Sequence, residues 1–193
     1  MIGLLAPAAL AAALALLPYH FNRPRQPVAR VRIHWWPAAL GAFIVEFVLY
    51  SPPTDQQPWA LMFGPWIWVV TRVVLLAVVV RNVRATPRLL SPWPIVLVGL
   101  ALNTLVIATN GGFMPQSVEA AESIWGSAAP PDDAAQRLYN TRPMDQATRL
   151  APLGDVIAQP AWLPRRNVIS IGDVLLSLGI AAWTFQTVSR RLI

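Results

Sequence analysis

The chain has 193 residues, 55% of them hydrophobic and only 12% charged, with a mean hydropathy of +0.49. A soluble domain carries about a quarter charged residues, so this composition excludes an ordinary soluble enzyme, a disordered chain and a fibrous repeat. The formal net charge is +6, every basic residue is Arg, and there is no Cys, which removes disulfides, thiol catalysis, Cys-ligated zinc and iron–sulfur clusters from consideration.

Five apolar segments reach or approach the roughly 20 residues that a bilayer span requires. The first is 2–18. It has the length of a secretory signal, but no basic residue precedes it and the first Arg is Arg23. Without a positive n-region it reads as a true first helix. The second is 35–50, opening on Trp35-Trp36 and carrying Glu46. At 1.5 Å per residue it reaches about 24 Å, so flanking residues must extend it. The third is 59–80, with Arg72 near its middle and Pro65 expected to kink it. The fourth, 93–110, holds Asn103 on one face with Gly99 and Asn110. The fifth, 168–188, holds Asp173 near its start and places Gly172 and Gly179 on one face suited to close packing.

The connections are sided. Arg23, Arg25, Arg30 and Arg32 lie between spans one and two. Arg81, Arg84 and Arg88 lie between three and four, and Arg190 and Arg191 follow span five, with no acid in any of these regions. The connection 51–58 has no Arg and one acid, Asp55, and 111–167 is mixed, with five Arg and six acids. The positive-inside rule therefore predicts an N-terminus outside, a C-terminus inside and 111–167 outside. It also explains the positive charge without nucleic acid, as sidedness plus attraction to anionic lipid. Trp35, Trp36, Trp59, Trp93, Trp162 and Trp183 fall near span ends, where amphipathic rings prefer the interface. Trp66 and Trp68 lie deeper and are read as packing or lipid-contact residues, with a cofactor box as the sharper alternative.

The expected fold is therefore all-α integral membrane: one domain over 1–193 with five transmembrane helices. The long outer loop should be structured, because it is too long to be a passive connector. Short helices are expected at 117–125, capped by Ser117, and at 132–139, capped by Asp132. The loop reads either as a lid or docking surface or as a seal over the bundle.

Particular residues of the second half resemble a known pattern. Asn110-Gly111-Gly112-Phe113-Met114-Pro115 follows the fourth span. Thr148-Arg149-Leu150 and Leu153-Gly154-Asp155 come next, and Asn167-Val168-Ile169-Ser170-Ile171-Gly172-Asp173 enters the fifth. Over roughly 93–185 the chain resembles a family of small bacterial multi-pass membrane proteins of unassigned function, marked by NGG-x-MP, LGD and NV-x-SIGD in that order. That family has no established activity to carry over. The chain departs from it at Phe113, where a basic or polar residue is expected, at Ala158-Gln159-Pro160, and in the extra Pro and Asp at 130–133. Read on their own physics, Gly111 and Gly112 permit positive φ at a helix end, Asn110 caps free carbonyls and Pro115 blocks continuation. Ser170 and Asp173 are spaced like a capping box. These are structural corners.

Ionisable groups inside a membrane point to function by default. Glu46, Arg72 and Asp173, with Asn103, could line a polar path for protons or for an anionic or quinone-like ligand. The alternative is a structural ion pair of Glu46 with Arg72, leaving Asp173 at the interface. His20 and His34 sit at the cytoplasmic edge and read as haem or pigment ligands or as interfacial hydrogen-bonders. Two histidines are too few for a multi-histidine metal site, and no Walker, G-x-S-x-G or H-E-x-x-H motif occurs. No metal is expected.

The function expected from this is a non-catalytic integral protein of the bacterial cytoplasmic membrane, an accessory or structural subunit of a larger complex of energy-converting or photosynthetic type. Its partners would be the lipid bilayer and other membrane subunits. Bound lipid is expected, with a pigment or quinone as admissible occupants. The alternative is a small transporter or channel using the Glu46, Arg72 and Asp173 path. An enzyme acting on lipid or isoprenoid ranks behind both.

Overall fold

The computed structural model describes residues 33–86, 91–126, 137–163 and 166–189. The expected first span (2–18), His20, the Arg23–Arg32 group, the 130–133 insertion, Arg88, Arg190 and Arg191 lie outside the described residues.

The described chain is mostly helical. Helix α1 is Trp36–Leu49, α2 is Pro58–Ala85, α3 is Trp93–Thr109, α4 is Val118–Trp125 and α5 is Ile171–Ser189. Helices α1, α2 and α3 each carry Pro within the first two positions, where its fixed φ suits a helix start and its missing N–H leaves nothing unpaired. Among the described residues one helix, α2, is long and apolar enough to cross a membrane; α1 and α3 are apolar but shorter. With 28 residues, α2 is about 42 Å long. It runs five residues past the expected end at 80, to Ala85, with Asn82 buried in its last turns. Pro65 lies inside it, and lacking an N–H it leaves the carbonyl four residues back without that helical bond.

Helix α3 packs along α5, and α2 packs against both α1 and α3. Ala42, Leu75, Val79, Val96, Leu100 and Leu176 form one core, drawn from α1, α2, α3 and α5. A second core toward the other end joins Trp68, Val106, Ile107 and Met114. The α3–α5 seam is tight. A Cβ on Gly99 would lie 2.6 Å from the Gly172 carbonyl oxygen, and one on Gly179 would lie 2.5 Å from Val96 Cγ2. Glycine there lets the two backbones approach closely.

The 111–167 segment and the residues that follow it add short strands to the mostly helical fold. Strands β1 (Met114–Gln116) and β2 (Thr141–Pro143) pair in parallel, and β3 (Ile157–Ala158) pairs antiparallel with β4 (Val168–Ile169). The fifth span's first two expected residues are thus strand, and its helix begins at Ile171. Strands of two or three residues are too short to show an alternating pattern, so periodicity could not reveal them. At 117–125 a helix forms, with Ser117 Oγ accepting from Ala120 N–H at 3.2 Å. Of 132–139, only 137–139 is described, and it is not helical.

Candidate functional site

The buried polar side chains gather into distinct groups. The first joins α1 and α2. Thr71 Oγ1 donates to Glu46 Oε1 at 2.6 Å, and Arg72 forms an ion pair with Glu46 Oε2. Glu46 is 5% exposed, so the carboxyl is removed from solvent and depends on Thr71 and Arg72 for its polar contacts. The Arg72 guanidinium lies 5.4 Å from the centre of the Trp68 ring, and Tyr50 packs edge-on against the same ring at 6.0 Å. Trp68 is buried while Trp66 faces outward. Tyr50 Oη and Arg72 Nε are buried without a hydrogen-bond partner among the described residues.

The second group joins α3 to the start of α5. Asp173 N–H donates to Ser170 Oγ at 2.9 Å, and Ser170 N–H donates to Asp173 Oδ2 at 3.1 Å. This is the reciprocal geometry of a capping box, with an aspartate in the acidic position. Asn103 Nδ2 donates to Asp173 Oδ1 at 2.8 Å, and Ser170 Oγ donates to Asn103 Oδ1 at 2.9 Å. The structure therefore brings together Glu46 with Arg72, and Asn103 with Asp173. It shows no hydrogen bond between these two pairs among the described residues.

The third group fastens the outer segment. Asn110 Nδ2 donates to Val106 O at 2.8 Å and to Arg149 O at 2.9 Å, while its Oδ1 accepts from Arg149 N–H at 2.9 Å. Gly111 and Gly112 take φ of 70° and 84°, and Gly112 N–H donates to Ile107 O at 2.9 Å, the long bond of a Schellman end. A Cβ on Gly112 would lie 2.5 Å from the Pro65 carbonyl oxygen, so this corner rests directly on α2. The unexpected Phe113 lies under the Arg142 guanidinium, 3.4 Å from its ring centre. Pro115 O accepts from Asp155 N–H at 2.9 Å, and Ser117 N–H donates to Asp155 O at 2.8 Å.

Asp155 belongs to this junction and was quoted only as part of a motif, not as a site. It is 7% exposed, and its Oδ1 is buried with no hydrogen-bond partner among the described residues. Burial pushes its carboxyl up to about 8, and the nearby charge of Asp173 adds to the rise. Sequence reasoning also missed Asn82 and Asp55. Asn82, 1% exposed, brackets the backbone of His34, accepting from its N–H at 2.9 Å and donating to its carbonyl at 3.0 Å. Asp55, 2% exposed, accepts from Arg137 Nε at 2.9 Å and Nη2 at 2.6 Å. No local signal marks an acid whose partner is 82 residues away.

Among the described residues, no three His, Cys, Asp or Glu side chains converge as a metal site. An apolar groove of about 450 Å³ runs between α1 and α2, lined by Ala42, Val45, Phe63, Trp66, Val70 and Val74 among others.

No curated protein and no solved structure matches the chain at a significant level. The chain belongs to a family of unknown function, DUF5317, whose model matches residues 30–185 and so takes in Glu46, Arg72, the Asn110 corner, Asp155 and the Ser170–Asp173 box.

Proposed function

We propose that the chain is a non-catalytic multi-pass protein of the bacterial cytoplasmic membrane and an accessory or structural subunit of a larger membrane complex. In this reading it has five spans, with the N-terminus outside, the C-terminus inside and 111–167 on the outer face. The supporting observation is the inverted polarity of the α1–α2 layer. Leu40, Phe43, Ile44, Phe47 and Val48 on α1, and Met62, Phe63, Trp66, Val70 and Val73 on α2, are exposed, while Glu46, Thr71 and Asn82 are buried. A soluble protein does not leave so large a contiguous apolar face in water; a bilayer or neighbouring helices cover it. Only 39% of the most apolar window of α2 is buried, whereas a soluble core helix would be mostly buried.

The shorter helices fit a bilayer once their ends are counted. Helices α3 and α5, at 17 and 19 residues, reach about 26 Å and about 28 Å. Trp93 and Trp183 meet edge-to-face, 6.3 Å between ring centres, at the inner end of that seam, where interfacial aromatics belong. In the bilayer the groove between α1 and α2 takes a lipid chain. The transporter reading requires a continuous polar path, and the separation of the Glu46–Arg72 and Asn103–Asp173 groups favours the subunit reading over it.

Purification of the native protein in mild detergent, followed by mass spectrometry of whatever remains bound, tests the proposal. A partner membrane protein in fixed stoichiometry is the expected result. A chain recovered only as a monomer or homo-oligomer of the 21.2 kDa polypeptide would overturn the subunit reading.

A further inference from the structure

The LGD and SIGD segments lie about twenty residues apart in sequence, yet backbone pairing brings them side by side. Val156 N–H donates to Ile169 O at 3.2 Å, and β3 pairs with β4 immediately beyond. This seats Asp155 beside the Ser170–Asp173 corner. Its main chain is held on both sides, by Pro115 O and by Ser117 N–H, which fixes the backbone from which the buried side chain projects. Gly154 keeps the approach close: a Cβ there would lie 2.6 Å from both Met144 Cε and Pro115 O.

The donors at this junction are already committed. Ser170 gives its hydroxyl proton to Asn103 Oδ1 and its N–H to Asp173 Oδ2, and Asn103 gives its amide proton to Asp173 Oδ1. Asp173 therefore accepts at both carboxyl oxygens. Asp155 has a buried Oδ1 with no donor among the described residues. The described ion pairs of Arg72 and Arg137 are made with Glu46 and Asp55. Strand β1 contributes Met114, Pro115 and Gln116, the turn Ala151–Leu153 is apolar, β4 contributes Val168 and Ile169, and α5 contributes Asp173. Glu119 in the first turn of α4 is exposed, and Arg142 of β2 is stacked on Phe113. A second negative charge here would be desolvated and would face a like charge, and a buried carboxylate in that position takes up a proton instead.

We infer that Asp155 holds a proton in the folded protein, forming a proton-binding site where the 111–167 segment meets the start of α5. Burial and the neighbouring Asp173 charge place the titration of Asp155 at about 8, so the folded protein carries this proton at neutral pH. Because the folded value is raised above that of a free carboxyl, the site favours the folded junction fully below about 4. That advantage declines as pH rises and is gone above about 8. Acid fastens the outer segment to α5, and alkali loosens it. Exposure of this proton to the outer side rests on the proposed topology; the proton itself does not.

Carbon NMR of the full chain in detergent micelles, labelled at the aspartate carboxyl carbons and titrated from about pH 4 to about pH 10, tests the site. One carbon is expected to titrate at about 8, to vanish in Asp155→Asn, and to titrate lower in Asp173→Asn, which removes the like charge. The thermal midpoint of the wild type should drop relative to Asp155→Asn between about pH 5 and about pH 8. Every aspartate carbon titrating below about 5, or the high-titrating carbon surviving Asp155→Asn, would overturn the inference. If Asp155→Asn does not fold, the wild-type and Asp173→Asn titrations decide alone. A high carbon that falls in the second supports the site, and an unmoved or missing one overturns it. A topology result contrary to the proposed one leaves this titration unaffected, so the two failures are distinguishable.

Discussion

Arg72→Met is expected to cost about 3–5 kcal/mol of stability, the range for breaking a buried ion pair from one side. The variant leaves Glu46 buried at 5% exposure with Thr71 as its remaining described partner. It also removes the guanidinium that lies over Trp68. Glu46→Gln in the same background removes the uncompensated charge while keeping an acceptor for Thr71, so the double variant should recover more than half of the loss. Reversible unfolding in mixed micelles, measured on wild type, both singles and the double, supplies the coupling energy. Additive single losses would show that Glu46 and Arg72 act separately and would revive a role for them in a polar path.

Gly172→Val carries the second large effect, at the α3–α5 seam. A Cβ on Gly172 would overlap the Asn103 side-chain amide and lie 2.8 Å from the Gly99 carbonyl oxygen. Overpacking of a close contact typically costs about 1–3 kcal/mol. Here displacement of Asn103 also detaches its bond to Asp173, so the upper end of that range is expected. Leu178→Val is the control. Leu178 is on the same helix but 57% exposed, and its change should stay within about 0.5 kcal/mol. Equal melting of the two variants would show that the seam does not depend on glycine.

Much of the helical layout was legible because long apolar runs with Pro at their starts carry their own punctuation. The helix Val118–Trp125 announced itself through Ser117, and the Ser170–Asp173 spacing announced a reciprocal cap. Gly111 and Gly112 marked a helix end because positive φ there needs residues without a Cβ. What stayed hidden depends on long-range pairing. Charged Arg81 and Arg84 suggested a loop, yet α2 continues through them because Asn82 is pinned to the His34 backbone. Asp55 looked like a loop acid, and only folding shows that Arg137 reaches it. Asp155 sits in a recognisable motif, but a triplet such as Leu-Gly-Asp does not disclose that its carboxyl is buried with one oxygen unpartnered among the described residues.

The absence of native cysteine makes single-cysteine labelling the most direct test of the membrane account. Three variants suffice: Ala147→Cys in the exposed part of the outer segment, Phe63→Cys on the outward face of α2, and a cysteine appended after Ile193. With intact cells and a membrane-impermeant maleimide, the account predicts that Ala147→Cys reacts at once. The appended cysteine should react only after permeabilisation, and Phe63→Cys should resist in both conditions because lipid or a neighbouring helix covers it. Rapid labelling of Phe63→Cys by the aqueous reagent, or recovery of the protein in the soluble fraction, would contradict the membrane reading at its centre.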